Sequence, residues 1–281
     1  MNEILVVVAQ GLLPAMGAVA VLVGILGRRF VSIAIASGVF AAYSLLKQLP
    51  AWPHRLWVEN NDGTQWWIWS LVAAALLATF EGSRTRPARS AFVLWCAVLG
   101  AQVWLMLTNR RTNWDASTTA LHTSIGAFAL CLMCVTFRST LAKPAPRLQL
   151  WAWTACLGVD AGVLALGGSV LLGQLAGALA AALGTVAALR LVRNSVQLVP
   201  GTALTLAAGH GGILFAGYHF TEPPLTALLA AACAPCCLGI AALPGMRRRP
   251  RLALPLAAIS CAACLAVALV TAIKASSGSG Y

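Results

Sequence analysis

Between Arg147 and Arg190 the chain reads LQLWAWTACLGVDAGVLALGGSVLLGQLAGALAAALGTVAAL, a stretch with a single charged residue, Asp160. A helix needs roughly 20 apolar residues to cross the hydrocarbon of a bilayer, so this stretch is too long for one crossing and suits two. The residues Gly167, Gly168 and Ser169 near its middle are typical of a turn. The stretch therefore predicts a transmembrane hairpin with spans at residues 148–168 and 170–191.

The rest of the chain has the same character. Hydrophobic residues make up 60% and charged residues 9% of the 281 residues, compared with roughly 45–50% and about 25% in a globular domain. Further apolar runs lie at residues 4–26, 30–46, 66–80, 91–107, 116–137, 201–218, 224–243 and 252–273. We predict an all-α polytopic transmembrane helix bundle of about ten spans. It forms a single membrane domain, residues 1–281, divisible into halves of five spans at 1–140 and 148–281.

The loop charges predict the orientation of these spans, because cytoplasmic loops are enriched in Lys and Arg. With the N-terminus outside, the inner side receives Arg28, Arg29, Arg84, Arg86, Arg89, Arg138, Lys143, Arg147, Arg190, Arg193, Arg247, Arg248, Arg249 and Arg251. The outer side receives Lys47, Arg55, Arg110, Arg111 and Lys274. Both termini are therefore expected outside.

The acidic start Met-Asn-Glu lacks the basic region of a secretory signal, so the first span is expected to stay in the mature protein. The preference for Arg over Lys and the heavy use of Ala indicate a GC-rich bacterial genome. We therefore expect a multi-pass protein of the bacterial cytoplasmic (inner) membrane.

Two polar surfaces are candidates for contact with partners. The cluster Arg247, Arg248, Arg249 and Arg251 lies on the predicted inner side, where it anchors the topology or binds anionic lipid head groups. The Trp-rich outer segment 50–65 is an interfacial anchor or a docking surface for another subunit. The net charge of +12 falls in short clusters between apolar runs, without the continuous basic face of a nucleic-acid-binding protein. The expected partners are the lipid bilayer and other membrane subunits, and not nucleic acid.

Four residues are candidates for a buried polar or transport site. Asp160 lies near the predicted bilayer midplane, where a charge is expensive unless it has a partner, so it indicates a proton or cation site or a hydrogen bond between helices. His210 lies in Ala-Ala-Gly-His-Gly-Gly, whose glycines leave room for a ligand or a close helix and weaken the helix locally. His122 is predicted at a depth like that of His210, and Gln10 is a further polar residue within a span.

Redox chemistry is an alternative. His122 and His210 are candidate ligands of one haem iron. The nine cysteines include three pairs at i, i+3 spacing, and Cys233-Ala-Pro-Cys236 resembles the Cys-x-Pro-Cys of thioredoxin-like oxidoreductases. That motif needs a strand-to-helix junction, whereas this one lies inside an apolar span, where Cys acts as a small hydrophobic residue. No cofactor and no metal is predicted.

Three functional hypotheses follow. The first is a non-catalytic membrane subunit or scaffold of a larger complex. The alternative is a small-solute secondary transporter with an inverted arrangement of five plus five helices, and the second alternative is a haem or thiol redox protein. The sequence contains no Gly-x-x-x-x-Gly-Lys-Ser/Thr, His-Glu-x-x-His or Gly-x-Ser-x-Gly motif, so no catalytic residue is predicted and an enzyme is not expected.

Overall fold

The computed structural model describes residues 2–27, 30–47, 49–53, 62–81, 89–141, 147–193, 196, 198–242, 244–247 and 250–278. These residues form helices and short connections, with no strand among them. The α-helices are α1 (Asn2–Leu26), α2 (Val31–Lys47), α3 (Gly63–Glu81), α4 (Arg89–Met106), α5 (Thr108–Arg111), α6 (Ala116–Leu141), α7 (Arg147–Leu166), α8 (Val170–Val192), α9 (Thr202–Leu206), α10 (Gly212–Phe220), α11 (Leu225–Cys237), α12 (Pro244–Arg247) and α13 (Pro250–Gly278). A π-helix (Ala207–Gly211) joins α9 to α10, and a 3-10 helix (Leu238–Ala242) follows α11.

Helical segments lie at all ten positions where spans are predicted. Within the described residues, five helices are long and apolar enough to cross a membrane, namely Ala9–Leu26, Ala116–Leu141, Gln149–Leu166, Val170–Val192 and Arg251–Ser277. Shorter apolar helices cover Val31–Lys47, Ala91–Met106 and Leu225–Ile240. The described residues thus show an all-helical fold with five candidate membrane-spanning helices, while ten crossings and two outside termini stay predictions.

The predicted hairpin turn is confirmed at residues 167–169. Helix α7 ends at Leu166, and Gly168 adopts a φ of 93°, which favours glycine because this backbone conformation brings a Cβ close to the chain. Ser169 then caps α8, since its hydroxyl oxygen accepts a hydrogen bond from the Leu172 backbone N–H at 3.2 Å. The turn brings α7 and α8 side by side in opposite directions.

Small residues allow close packing around α8. A Cβ at Gly173 would lie 2.9 Å from both the Ala161 carbonyl oxygen and the Ala165 methyl group of α7. A Cβ at Gly177 would lie 3.5 Å from Leu12 of α1. Helix α8 is thus packed against helices from both halves of the chain, as its small residues at four-residue spacing predict.

Arg138 differs from its predicted place in an inner loop. It lies on α6, which continues to Leu141, and its side chain is buried beside Glu81 of α3, with 2.7 Å between Arg138 Nη2 and Glu81 Oε1. Its guanidinium carbon lies 4.5 Å from the ring centre of Trp95. The loop assignment was wrong because an acidic side chain and an aromatic face offset the cost of burying this cation.

Other predicted surface residues lie partly or wholly outside the described residues. Those outside are Arg28, Arg29, Arg55, Arg84, Arg86, Lys143, Arg248 and Arg249, together with residues 54–61 of the Trp-rich segment. Of the inner basic cluster, Arg251 is exposed at the start of α13. Trp52 of the outer segment is 66% exposed and stacks on Trp69 at 5.7 Å between ring centres.

Candidate functional site

The site is built around a widened turn of helix. Residues 207–211 form a π-helix between α9 and α10, and such turns occur frequently at functional sites. The Trp67 indole N–H of α3 lies 3.0 Å from the Ala208 carbonyl oxygen and 3.3 Å from that of Gly209. The Gln102 side-chain amide of α4 donates to the same Ala208 oxygen at 2.8 Å. Trp67 and Gln102 therefore satisfy backbone acceptors that the widened turn presents to the bundle.

The glycines of this turn admit neighbouring side chains. A Cβ at Gly209 would lie 2.9 Å from a Leu179 methyl group, and a Cβ at Gly211 would overlap Leu130. A Cβ at Gly212 would overlap the Gln102 amide nitrogen. The space that the sequence assigned to a ligand or a close helix is therefore occupied by side chains of the bundle itself.

Asp160 and His210 meet inside the bundle. Asp160 Oδ2 of α7 lies 2.6 Å from His210 Nδ1, and neither side chain has any exposed surface. The second oxygen of the carboxyl group, Oδ1, and the second ring nitrogen, Nε2, have no hydrogen-bond partner within the described part of the chain. The structure thus brings together two of the four sequence-predicted residues. Asp160 Oδ1 and His210 Nε2 remain available for a further hydrogen bond.

This contact can hold or release one proton. At 2.6 Å one of the two atoms must carry a hydrogen, either as Nδ1–H donating to a carboxylate or as a carboxylic acid donating to Nδ1. The pair of a carboxylate and a neutral imidazole has a net charge of minus one. One more proton, on either group, brings the net charge to zero. Because an isolated buried charge is costly, burial favours the form of the pair that carries no net charge.

His122 and Gln10 lie elsewhere. The His122 ring packs 4.6 Å from Trp114 and 5.2 Å from His219, and Gln10 has an exposed side chain on α1. His219 follows His210 by nine residues, about 13 Å along a helix at 1.5 Å per residue. His122 and His210 therefore belong to separate clusters and do not face a common iron.

The cysteine pairs also differ from the sequence pattern. The close sulfur contacts join different helices, with 3.6 Å between Cys156 and Cys261 and 3.8 Å between Cys237 and Cys264. The Cys-Ala-Pro-Cys string occupies the carboxyl end of α11, and stabilisation of a thiolate requires the opposite end of a helix. In the described residues no group of three or more His, Cys, Asp or Glu is arranged to hold a metal ion.

Sequence reasoning missed His219 and the roles of Trp67 and Glu81. His219 lies one position beyond the predicted span, in Gly-Tyr-His-Phe, and the surrounding aromatic residues are the signal that could have found it. Trp67 is of a residue type that prefers the membrane interface, yet it is buried with its N–H directed at the π-helix. Glu81 follows a long apolar run and resembles an ordinary helix end.

The fit around Gly212 can be tested directly. We expect Gly212→Ala to destabilise the protein by about 1–3 kcal/mol, because the added methyl group must displace Gln102 and the Trp67 ring. The measurement is thermal unfolding in detergent. The matched control is Gly158→Ala on α7, where a Cβ meets nothing within 4 Å and the substitution favours the helix. Equal melting temperatures for both variants would contradict a tight clamp at residue 212.

Comparisons with models of known protein families, with curated proteins and with solved structures find no match to this chain.

Proposed function

We propose that this protein is a proton-coupled secondary transporter of a small solute in the bacterial cytoplasmic membrane, with Asp160 and His210 as its proton-binding site. The observation that carries the proposal is the 2.6 Å contact between these two fully buried side chains within a bundle of apolar helices. Ionisable residues inside membrane helices are rare and mark proton relays and ion pathways.

The helix that carries His210 supports this proposal. Transporter sites are typically formed where a membrane helix departs from regular geometry, because side chains and backbone groups there become available to ligands. Here the departure is the π-helix, and its extra carbonyl contacts are made by two different helices through Trp67 and Gln102. A shift of α3 or α4 would therefore alter the position of the imidazole relative to Asp160.

The buried pair Asp160 and His210, hereafter the dyad, fits the occluded state of a carrier, in which the binding site is closed to both sides of the membrane. Neither side chain is exposed, so a proton reaches the pair only when neighbouring helices separate. Alternating access of this kind exposes a fixed site to one side of the membrane at a time.

The first test asks whether the dyad exchanges a proton. We expect the infrared carbonyl band of a protonated carboxyl group to differ between samples at about pH 5 and about pH 9. The band should be absent from the difference spectrum of Asp160→Asn. A dyad spectrum that stays constant across this range in the wild type would overturn the proposal, since a coupling site must change its protonation.

The second test identifies the solute. Cells that produce the wild type or Asp160→Asn at equal levels are incubated with a defined mixture of amino acids, sugars and organic acids, and the medium is assayed by mass spectrometry. A transported solute should differ between the two strains, and a protonophore should abolish the difference. A solute difference that persists in the presence of the protonophore would show transport without proton coupling.

A membrane subunit or scaffold of a larger complex is the second candidate. The exposure of Trp52 in the outer segment and of Leu49 just before it favours this candidate, because exposed large apolar residues are typical of a docking site. Purification in a mild detergent distinguishes the candidates. Stoichiometric partners that are lost with Trp52→Ser would favour the subunit, whereas a chain of 29.2 kDa travelling alone or as a homodimer would favour the transporter.

A further inference from the structure

A groove runs along the surface between α6, α10 and α11, and neither Asp160 nor His210 lines it. It has a volume of about 310 Å³, within the usual size range of small-molecule sites. At one end it is lined by His122, Tyr218 and His219, and at the other by Met133, Gly211 and Ala232. His122 and Met133 are eleven residues apart on α6, so the groove is about 16 Å long at 1.5 Å per residue.

The imidazole of His219 indicates that the groove receives a polar atom. His219 is 7% exposed, and its Nε2 has no hydrogen-bond partner among the described residues. A buried ring nitrogen without a partner costs about 1–3 kcal/mol, so a ligand that supplies one is favoured. Since His219 lines the groove, a molecule in the groove can supply that partner.

The surroundings of His219 select the head group of such a molecule. Four aromatic side chains lie around the His219 ring, with centre-to-centre distances of 4.5 Å to Phe215, 4.8 Å to Tyr218, 5.2 Å to His122 and 5.6 Å to Trp114. These flat faces suit a planar ring. No Asp, Glu, Lys or Arg is among the described residues that line the groove, and Arg110 nearby donates to the His219 carbonyl oxygen. The head group is therefore uncharged.

The remainder of the groove is apolar and suits a hydrocarbon chain attached to the head group. Leu130, Met133, Leu228 and Ala232 line it with apolar atoms, and Gly211 keeps its floor low. Large apolar residues at its rim are exposed on the outside of the bundle, including Ile125 and Leu229. These rim residues face lipid in a membrane, so a ligand enters from the bilayer with its chain along the groove.

From these contacts we infer that the groove binds a lipid-soluble quinone. One quinone carbonyl oxygen accepts a hydrogen bond from His219 Nε2–H, the ring lies among the aromatic side chains, and the isoprenoid tail extends toward Ala232. A phospholipid has an equally apolar chain but carries a charged phosphate, for which the described lining offers no cation. This inference does not depend on the proton site at Asp160.

The probe is decylubiquinone added to purified protein in detergent, with quenching of tryptophan fluorescence as the readout. We expect saturable quenching and a smaller amplitude for Trp114→Phe. His219→Phe keeps the ring but removes the donor, and it should weaken binding about tenfold. Ala129→Leu places a larger side chain in the groove and should weaken binding by at least a similar factor, whereas Ala120→Leu, exposed on the same helix, should bind as the wild type.

Each variant is first compared with the wild type by thermal unfolding, so that lost binding is read only from folded protein. Quenching that does not saturate would overturn the inference, as would equal affinity in the wild type, His219→Phe and Ala129→Leu. Phosphorus analysis of the purified protein tests whether the groove holds a phospholipid in place of a quinone. Phospholipid retained by the wild type and lost in Ala129→Leu, without quinone binding, would assign the groove to lipid and reject the quinone.

Discussion

Asp160→Asn should abolish proton-dependent solute movement while leaving the protein folded. Asparagine keeps the size of the side chain and a hydrogen bond to His210, so the free energy of unfolding should change by no more than about 1–2 kcal/mol. It has no carboxyl group to take up and release a proton at physiological pH. The measurement is solute uptake into proteoliposomes driven by a pH gradient, at matched protein content.

The control for this variant is Asp115→Asn, the same substitution at the start of α6. Asp115 is exposed, and hydrogen bonds from the Ser117 and Thr118 side chains and from the Thr118 backbone N–H lower its pKa to about 2. The Asp115→Asn variant should transport as the wild type does, because Asp115 lies outside the buried dyad. Full uptake by Asp160→Asn at unchanged protein level would remove Asp160 as the coupling residue. His210→Gln should show the same loss as Asp160→Asn.

Arg138→Met should give the largest loss of stability, about 3–5 kcal/mol, because it removes the cation of a buried ion pair in which Arg138 Nη2 lies 2.7 Å from Glu81 Oε1. The measurement is unfolding of the purified protein by heat or denaturing detergent. The fall in stability should also reduce the amount of protein found in membranes.

Two further variants test this explanation. Glu81→Leu combined with Arg138→Met should recover most of the loss, since the double substitution removes both charges together. Arg111→Met removes a guanidinium whose carbon lies 3.8 Å from the Trp104 ring centre in a partly exposed position, and should cost about 0.5–1 kcal/mol. If the double variant were as unstable as Arg138→Met alone, lost packing of the Arg138 stem, and not loss of the charge opposite Glu81, would explain the effect.

The helices were predictable because apolar runs of span length have few alternatives in a membrane protein. The turn at residues 167–169 was predictable for a local reason, since two glycines and a capping serine stand between two apolar runs. The burial of Arg138 was not, because it depends on Glu81, a residue 57 positions away in sequence that only the tertiary arrangement of the helices brings near it. A hydropathy profile scores each charged residue separately and therefore assigns both Glu81 and Arg138 to loops.

The candidate site was predictable as residues but not as an arrangement. Asp160 and His210 stand out as ionisable groups in apolar runs, yet nothing in the sequence indicates that Asp160 contacts His210 and not His122 or Gln10. The contact depends on the rotation of α7 and on the π-helix, which changes the direction of every side chain around residue 210. The spacing of apolar residues along the sequence does not reveal one extra residue in a single helical turn.

Helix α3 connects two buried polar contacts. Trp67 near its start holds the π-helix, and Glu81 at its end pairs with Arg138. These residues are 14 positions apart, about 21 Å along the helix. A helix held at both points cannot shift at one without disturbing the other, so a change at the Glu81–Arg138 pair would reach the helical turn that carries His210.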